Sequence, residues 1–268
     1  MSILRWSHLT ILLIFTAFIS GCASHTTIER NEIEYTADGV TMKGYLAYPS
    51  HTETPRPGIL VVHEWWGHNE YARTRADMLA KEGFVALALD MYGQGKQAEH
   101  PKDAMKFSSA VFKDLDGAKK KFLAAMETLK SHPSVDKEKI GAIGYCFGGG
   151  IVLTMARMGV DLGAVASFHG SLTSPVKAKK GRFDGEVYVF NGAADPMVKK
   201  EHIENFKKEF DRAGIEYQIK NYDGAMHAFT NPAATQLGKE YNLPLAYDPA
   251  ADKDSWDSLL SFLANWSL

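Results

Sequence analysis

Three short segments of the chain are almost continuously apolar, and they give the first indication of its architecture. They are Gly58–His63, Val85–Leu89 and Ile140–Tyr145. Such runs are typical of strands that are buried on both faces, as in a parallel sheet. The same reasoning predicts further strands at Leu162–Phe168, Val187–Asn191 and Tyr217–Tyr222.

The segments between these strands show the spacing of amphipathic helices. The predicted helices cover Asn69–Glu82, about Asp103–Ser131, Phe147–Met158, Lys199–Ala213 and Ser255–Trp266. Regular alternation of strands with helices predicts a mostly parallel sheet with helices on both faces.

The pattern ahead of the first buried run is different. Ile33–Thr36 and Met42–Tyr48 alternate between apolar and polar residues around Asp38-Gly39, which predicts an antiparallel hairpin. The sequence therefore predicts one α/β domain over residues 32–268, with its chemistry at the carboxyl ends of the strands.

The N-terminus has the layout of a secretory signal. Arg5 precedes an apolar core over Leu9–Ile19, and the run is too short to span a bilayer comfortably. The following Ile19-Ser20-Gly21-Cys22 resembles the lipobox of bacterial lipoproteins. That resemblance implies a signal peptide over residues 1–21, a lipidated Cys22 and a polar tether over residues 22–31.

Lipidation at Cys22 predicts a protein anchored in the bacterial cell envelope, on the periplasmic face. Ala23 and Ser24 slightly favour the outer membrane. The alternative is an ordinary cleaved signal, or an uncleaved anchor with an incidental cysteine.

Composition narrows the function classes. The chain is 45% hydrophobic and 23% charged, with a net charge of −2 and no strongly basic cluster, which argues against a nucleic-acid partner. The chain has two cysteines, so a lipidated Cys22 leaves Cys146 without a disulfide partner. A lone thiol in an oxidising compartment favours a catalytic purpose.

Three reactive residues follow predicted strands. Cys146 comes directly after Ile140–Tyr145, and Asp195 and His227 follow two later strands by a few residues. The order nucleophile, acid, histidine is that of α/β hydrolases, with cysteine in the serine position. His227 would share the thiol proton, and Asp195 would orient the imidazole.

The residues around Cys146 suit a sharp strand-to-helix turn. Gly144 and Gly148 leave room where neighbouring chain approaches closely, and the helix N-terminus favours a thiolate. The backbone N–H of Phe147 would bind an oxyanion, and Trp65, in the loop after the first buried strand, is the candidate for a second donor.

Together, His63-Glu64-Trp65-Trp66-Gly67, Gly144-Tyr145-Cys146-Phe147-Gly148, Asp195-Pro196-Met197 and His227-Ala228-Phe229 resemble the dienelactone hydrolase family, from about Tyr45 to Trp266. The resemblance implies an α/β-hydrolase fold. It also implies that Glu64 keeps the resting thiol protonated, and takes its proton once substrate binds.

The chain departs from this family at the two arginines that grip the carboxylate of dienelactone. Gln94 and the segment Thr230-Asn231-Pro232 stand at those places, and neither supplies a guanidinium. The expected pocket is therefore aromatic and mostly neutral. Its predicted lining residues are Trp65, Trp66, Tyr92, His169 and Phe229.

The resulting prediction is a cysteine hydrolase of small esters or lactones that uses no metal and no cofactor, as a monomer or weak homodimer. Two alternatives stay open: a non-catalytic lipoprotein that uses the fold as a binding module, and a redox sensor at Cys146. Single residues also have simpler interpretations. Asp195 suits a turn, Glu64 suits a helix cap, and His169 suits a bond to the backbone.

Overall fold

The computed structural model describes residues 26–267. The predicted signal peptide and Cys22 lie outside these residues. Eight strands form one sheet: β1 (Ile28–Ala37), β2 (Val40–Pro49), β3 (Arg56–Val62), β4 (Val85–Leu89), β5 (Val135–Tyr145), β6 (Ala164–Phe168), β7 (Glu186–Gly192) and β8 (Tyr217–Tyr222). Their order across the sheet is β1-β2-β4-β3-β5-β6-β7-β8.

The described part of the chain has seven helices, of which the last two follow the final strand. They are α1 (Glu70–Lys81), α2 (Pro101–Lys113), α3 (Leu115–Lys130), α4 (Phe147–Arg157), α5 (Lys200–Ala213), α6 (Ala234–Tyr241) and α7 (Pro249–Ser267). Within residues 26–267, none of these helices combines the length and the apolar character needed to cross a bilayer.

The sheet matches the predicted fold class. β1 and β2 pair antiparallel through the turn at Asp38 and Gly39, which both have positive φ, as two-residue hairpin turns require. The strands from β3 to β8 pair in parallel. Their consecutive side chains point to opposite faces, so Leu60 and Ile59 belong to separate buried clusters above and below the sheet.

The register determines where the loops meet. Val62 of β3 lies opposite Gly144 of β5, and Tyr145 lies opposite Phe168 of β6. The loops that follow β3, β5 and β6 therefore emerge side by side at one edge of the sheet. The loops after β7 and β8 emerge at the same edge, since these strands are parallel to the others.

Two sequence-based expectations need correction, and one helix was missed. β1 begins at Ile28, inside the segment predicted as a tether, because Ile28 already pairs with Pro49. The single helix predicted over 103–131 is wrong: it breaks at Asp114, whose carboxylate accepts the Gly117 N–H and caps α3. Helix α6 was not predicted, because its eight residues are too few for a clear periodic signal.

Candidate active site

Cys146 lies in a strained turn between β5 and α4. Its backbone has φ 53° and ψ −112°, which is rare for a residue with a side chain. The Cys146 N–H donates to two acceptors, the Phe168 carbonyl at 3.0 Å and His169 Nδ1 at 3.1 Å. The turn leaves the side chain half-buried, at the N-terminus of α4.

The glycines beside Cys146 are required by close backbone approach. A Cβ at Gly144 would lie 2.2 Å from the Gly148 carbonyl oxygen, and a Cβ at Gly148 would lie 2.3 Å from that of Val62. Both distances are far below van der Waals contact. A side chain at either position would therefore clash with the backbone, as predicted.

The structure brings Cys146, His227 and Asp195 together. The Cys146 Sγ and His227 Nε2 atoms are 3.0 Å apart, and His227 Nδ1 is 2.7 Å from Asp195 Oδ2. Asp195 Oδ1 also accepts the Met197 N–H at 2.8 Å, which holds the carboxylate in place. His227 and Asp195 are both buried.

The surroundings of His227 favour its protonated form. Burial alone disfavours the imidazolium, but the negative charges and hydrogen bonds of Cys146 and Asp195 outweigh it. As a result, the pKa of His227 is raised from 6.5 to about 10. The imidazole can therefore hold a proton taken from the sulfur across the pH range in which most enzymes work.

The two predicted oxyanion donors belong to loops that meet at the sheet edge. Phe147 is the first residue of α4, and Trp65 follows β3. Among residues 26–267, neither backbone N–H has a hydrogen-bond partner. Both groups are therefore free to bind a developing negative charge.

Glu64 is buried, and its pKa lies near neutral pH. It is 2% exposed, and the only hydrogen-bond partner of its carboxylate among the described residues is Asn231, whose Nδ2 donates to Oε2 at 2.6 Å. Burial raises the pKa of Glu64 from 4.5 to about 7, although the Asn231 bond and the charges of His227 and Arg75 oppose that shift. A small change around Glu64 can therefore move a proton on or off it near neutral pH.

The predicted aromatic pocket is mostly filled by its own residues. His169 and Phe229 are completely buried, with their rings 5.3 Å apart, so neither lines an open pocket. Tyr92 and Trp66 are also buried, and the Tyr92 hydroxyl donates to the Trp65 carbonyl at 2.8 Å. Only Trp65 is partly exposed. The sequence predicted that these aromatic residues lie near the site. It could not show which of them line an open pocket and which are buried in the protein interior.

An open cavity lies beside Tyr92. Its volume is 270 Å³, and it is lined by Tyr92, Lys96, Phe107, Ala110, Val111, Asp114 and Lys121. The Tyr92 ring packs against Phe147 at 5.5 Å between centroids, so the cavity approaches the nucleophile turn through these two rings. Its lining combines aromatic and aliphatic side chains with two lysines and one carboxylate.

Several supporting residues could not be recognised in the sequence. Buried Arg75 donates to the Thr230 carbonyl at 2.5 Å and to Asp252 at 2.7 Å, which ties α1 to the loop that carries His227. Tyr71 contacts the Thr230 hydroxyl at 2.6 Å. These partners are more than 150 positions apart in the chain, and no local pattern indicates such pairs.

The described residues offer no evident metal site. Within residues 26–267, no group of three or more His, Cys, Asp or Glu side chains is arranged so that it could hold a metal ion.

A mostly parallel sheet with a cysteine in the sharp turn after β5, an aspartate after β7 and a histidine after β8 is the arrangement of an α/β hydrolase. Within that class the chain belongs to the dienelactone hydrolase family, whose model matches residues 42–267.

Solved structures agree with this assignment. The chain is 33% identical to m3DLH, with a TM-score of 0.84, over 90% of this chain and 99% of that one. It is 31% identical to the "Dienelactone Hydrolase-like Promiscuous Phospotriesterase P91" from metagenomic libraries, with a TM-score of 0.81, over 89% of this chain and 98% of that one.

A curated relative from Bradyrhizobium sp. is named "Probable 2-oxo-3-(5-oxofuran-2-ylidene)propanoate lactonase". It is 29% identical over 254 residues, which cover 90% of this chain and 96% of the relative. The protein is thus a dienelactone hydrolase-like hydrolase, and the family implies a small-molecule substrate.

Proposed function

We propose that this hydrolase cleaves a small carboxylic ester or lactone with Cys146 as its nucleophile. The observation that carries the proposal is the pair of short contacts at His227, 3.0 Å to the sulfur on one side and 2.7 Å to the Asp195 carboxylate on the other. This is the geometry that an activated nucleophile requires.

The proposed reaction has two halves. The proton of Cys146 passes to His227, and the sulfur attacks the substrate carbonyl, whose oxygen becomes negative beside the Phe147 and Trp65 N–H groups. When the C–O bond breaks, His227 returns the proton to the leaving alcohol, and an acyl-thioester remains on Cys146. Water, deprotonated by His227, then attacks the thioester carbonyl, which releases the acid and restores the thiol.

Glu64 has a place in this scheme because its pKa lies near neutrality. It is hydrogen-bonded to Asn231 and not to Cys146, so a direct proton exchange with the thiol requires the carboxylate to turn. Substrate entering beside Trp65 could displace this loop. Glu64 is therefore a second acceptor for the Cys146 proton, and it acts only after substrate has bound. When Glu64 holds that proton, His227 gives its own proton to the leaving alcohol, and Glu64 returns its proton to the sulfur at the end of the reaction.

The substrate expected here is neutral close to its reacting carbonyl. Asn231 stands where dienelactone-cleaving relatives are expected to have an arginine, and its amide is already used by Glu64. Gln94 is exposed at the surface. Simple aryl esters and lactones therefore suit the site better than dienelactone does. The name of the P91 relative adds phosphotriesters to the substrates worth testing.

We also propose that the protein acts in the bacterial cell envelope, attached through a lipid on Cys22. This proposal rests on the Ile-Ser-Gly-Cys sequence after an apolar run. Globomycin, which inhibits lipoprotein signal cleavage, should cause the uncleaved precursor to accumulate in a bacterial host. Unchanged processing with globomycin, or with Cys22→Ala, would contradict it.

The decisive experiment compares wild-type protein with Cys146→Ala and Cys146→Ser on p-nitrophenyl acetate, a γ-lactone and paraoxon. We expect the alanine variant to lose at least about 10³-fold in kcat/KM, as removal of a nucleophile does. The serine variant should retain little activity, because a neutral hydroxyl is a poorer nucleophile. Equal turnover by wild type and Cys146→Ala would refute the mechanism. Iodoacetamide labelling no faster than that of a free thiol would favour the non-catalytic alternative.

A further inference from the structure

His169 occupies a position that the proposed reaction does not explain. Its ring is completely buried under the nucleophile turn, and its own backbone is strained, with φ 40°. The ring nitrogen Nδ1 accepts the Cys146 N–H at 3.1 Å. His169 therefore contacts the backbone of Cys146 and not the sulfur.

The hydrogen bonds determine the tautomer of His169. Because the Cys146 N–H is a donor, Nδ1 must present its lone pair, and the ring proton must be on Nε2. Nε2 lies 2.8 Å from Thr230 Oγ1, which accepts a hydrogen bond from the Nε2–H group. Both nitrogens are thus used, and a second proton at Nδ1 would be directed at the Cys146 N–H.

The electrostatic surroundings keep the ring neutral. Burial lowers the pKa of His169 well below 6.5, and the positive charges of His227 and Arg75 lower it further. The rings of His169 and His227 are only 5.4 Å apart. The site therefore contains two neighbouring histidines with opposite tasks, one protonated and one neutral.

Thr230 connects this ring to the other side of the site. It lies on the loop that carries His227, its hydroxyl is 2.6 Å from that of Tyr71, and its carbonyl accepts from Arg75. The next residue, Asn231, holds Glu64. A hydrogen-bonded chain thus runs from Tyr71 through Thr230 and His169 to the backbone of the nucleophile.

We infer that His169 is a positioning residue: as a neutral imidazole it holds the strained Cys146 backbone in register with the loop that carries His227. The inference rests on the proposed role of Cys146 as nucleophile. Without His169, the Phe168 carbonyl would be the only acceptor that holds the Cys146 amide. With both acceptors, the sulfur stays 3.0 Å from His227 Nε2.

The test compares four substitutions. His169→Asn keeps an acceptor near the Nδ1 position and tolerates positive φ, whereas His169→Phe keeps a ring but has no acceptor. Thr230→Val removes the hydroxyl that fixes the tautomer, and Thr230→Ser retains it. Tyr145→Phe is the matched control: Tyr145 precedes Cys146 in the chain, and its buried hydroxyl has no partner among the described residues.

Two readouts are needed. The first is the rate at which iodoacetamide alkylates Cys146 at pH 6, followed by mass spectrometry of the peptide that contains it, because Cys22 is a second cysteine. The second is the division of the ester-hydrolysis effect between kcat and KM. Thermal denaturation of each variant reports whether it is folded.

We expect His169→Phe to lower the alkylation rate and kcat by about 10- to 100-fold, as small misplacements of reacting groups do, with KM changed less than about 2-fold. Thr230→Val should lose about 3- to 10-fold. His169→Asn, Thr230→Ser and Tyr145→Phe should stay within about 5-fold of wild type.

Folded His169→Phe with both rates within about 2-fold of wild type would overturn the inference. An equal loss in His169→Asn and His169→Phe would also overturn it, because only the first keeps the acceptor. If His169→Phe does not fold, the contrast between Thr230→Val and Thr230→Ser decides. Alkylation needs no substrate, so failure of wild type on every ester would refute the proposed function alone.

Discussion

Two glutamates in this molecule, the buried Glu64 and the partly buried Glu209, have opposite surroundings. Glu209 accepts hydrogen bonds from the Arg157 guanidinium at 2.9 Å and from the Ala178 N–H at 2.8 Å. Burial would raise its pKa, but these bonds and the charges of Arg157 and Lys177 hold the pKa of Glu209 below its usual range. Glu64 accepts its hydrogen bond from the neutral amide of Asn231, and its pKa rises to about 7.

The difference shows that the charge of the hydrogen-bond partner determines whether a carboxyl group shielded from solvent stays ionised. A guanidinium compensates a buried carboxylate and keeps it ionised, so Glu209 stays charged and joins α5 to Arg157. A primary amide donates a hydrogen bond but brings no charge, so burial determines the proton affinity of Glu64. The first arrangement is suited to structure, and the second to proton transfer.

The largest expected effect comes from removing the compensating charge. Arg157→Leu leaves the partly buried Glu209 carboxylate with only the Ala178 N–H and the exposed Lys177 ammonium, 3.7 Å away, and it removes the donor to the Leu172 carbonyl. We expect the free energy of unfolding to fall by about 3–5 kcal/mol, measured by urea denaturation at pH 7.

The matched control is the double variant Arg157→Leu with Glu209→Gln, in which no unpaired charge remains. It should recover part of the lost stability. If the single and double variants are equally unstable, the loss comes from packing, and the contrast with Glu64 fails.

The second effect concerns pH. In the folded protein Glu64 has its pKa raised from 4.5 to about 7, so its contribution to stability is present below about pH 4.5 and is lost as the pH rises through about 7. Glu64→Gln removes this titration. The unfolding free energy of the variant minus that of wild type should therefore increase by about 2–3 kcal/mol as the pH rises from about 5 to about 8.

Urea denaturation of both proteins at the two pH values measures this gain, and all other titrating groups cancel in the difference. Glu209→Gln is the comparison variant and should show no such gain, because the pKa of Glu209 is lowered. A difference between Glu64→Gln and wild type that does not depend on pH would contradict the expected titration.

The smallest effect should come from the amide partner. Asn231→Ser removes the bond to Glu64, while the shorter serine can still accept the Ala233 N–H that Asn231 now caps. Because the amide favours the ionised carboxylate, its loss should raise the pKa of Glu64 above about 7.

Carbon-13 NMR of the carboxyl groups, with Glu64→Gln to assign the signal, measures this shift. Asn221→Ala, which changes an exposed amide elsewhere, should leave the titration of Glu64 where it is. A lowered midpoint in Asn231→Ser would mean that burial is not the main cause of the raised pKa.

Much of the fold was predictable because its signal is local. The strands Val85–Leu89 and Tyr217–Tyr222 have the predicted ends, and the predicted α/β-hydrolase fold class is confirmed. The prediction failed where local spacing was ambiguous. The break at Asp114 lies inside a continuous helical pattern. It occurs because the Asp114 carboxylate caps α3 by accepting the Gly117 N–H.

The candidate site divides in the same way. The sequence indicated Cys146, Asp195 and His227, since each follows a strand, and parallel strands deliver their loops to one edge. It did not indicate that His169 supports the nucleophile turn or that Asn231 holds Glu64. Glu64 and Asn231 are 167 positions apart, so their contact depends on how two loops pack.

By itself, the sequence determined the order of strands and helices, the sharp turn at Cys146 and the residue types available for chemistry. These follow from hydrophobic periodicity and from the space that glycine leaves, both of which act between near neighbours. Only the tertiary structure decided which histidine is protonated and which is neutral, and which carboxyl holds its proton near pH 7. Those properties depend on burial and on partners that the folded chain brings together.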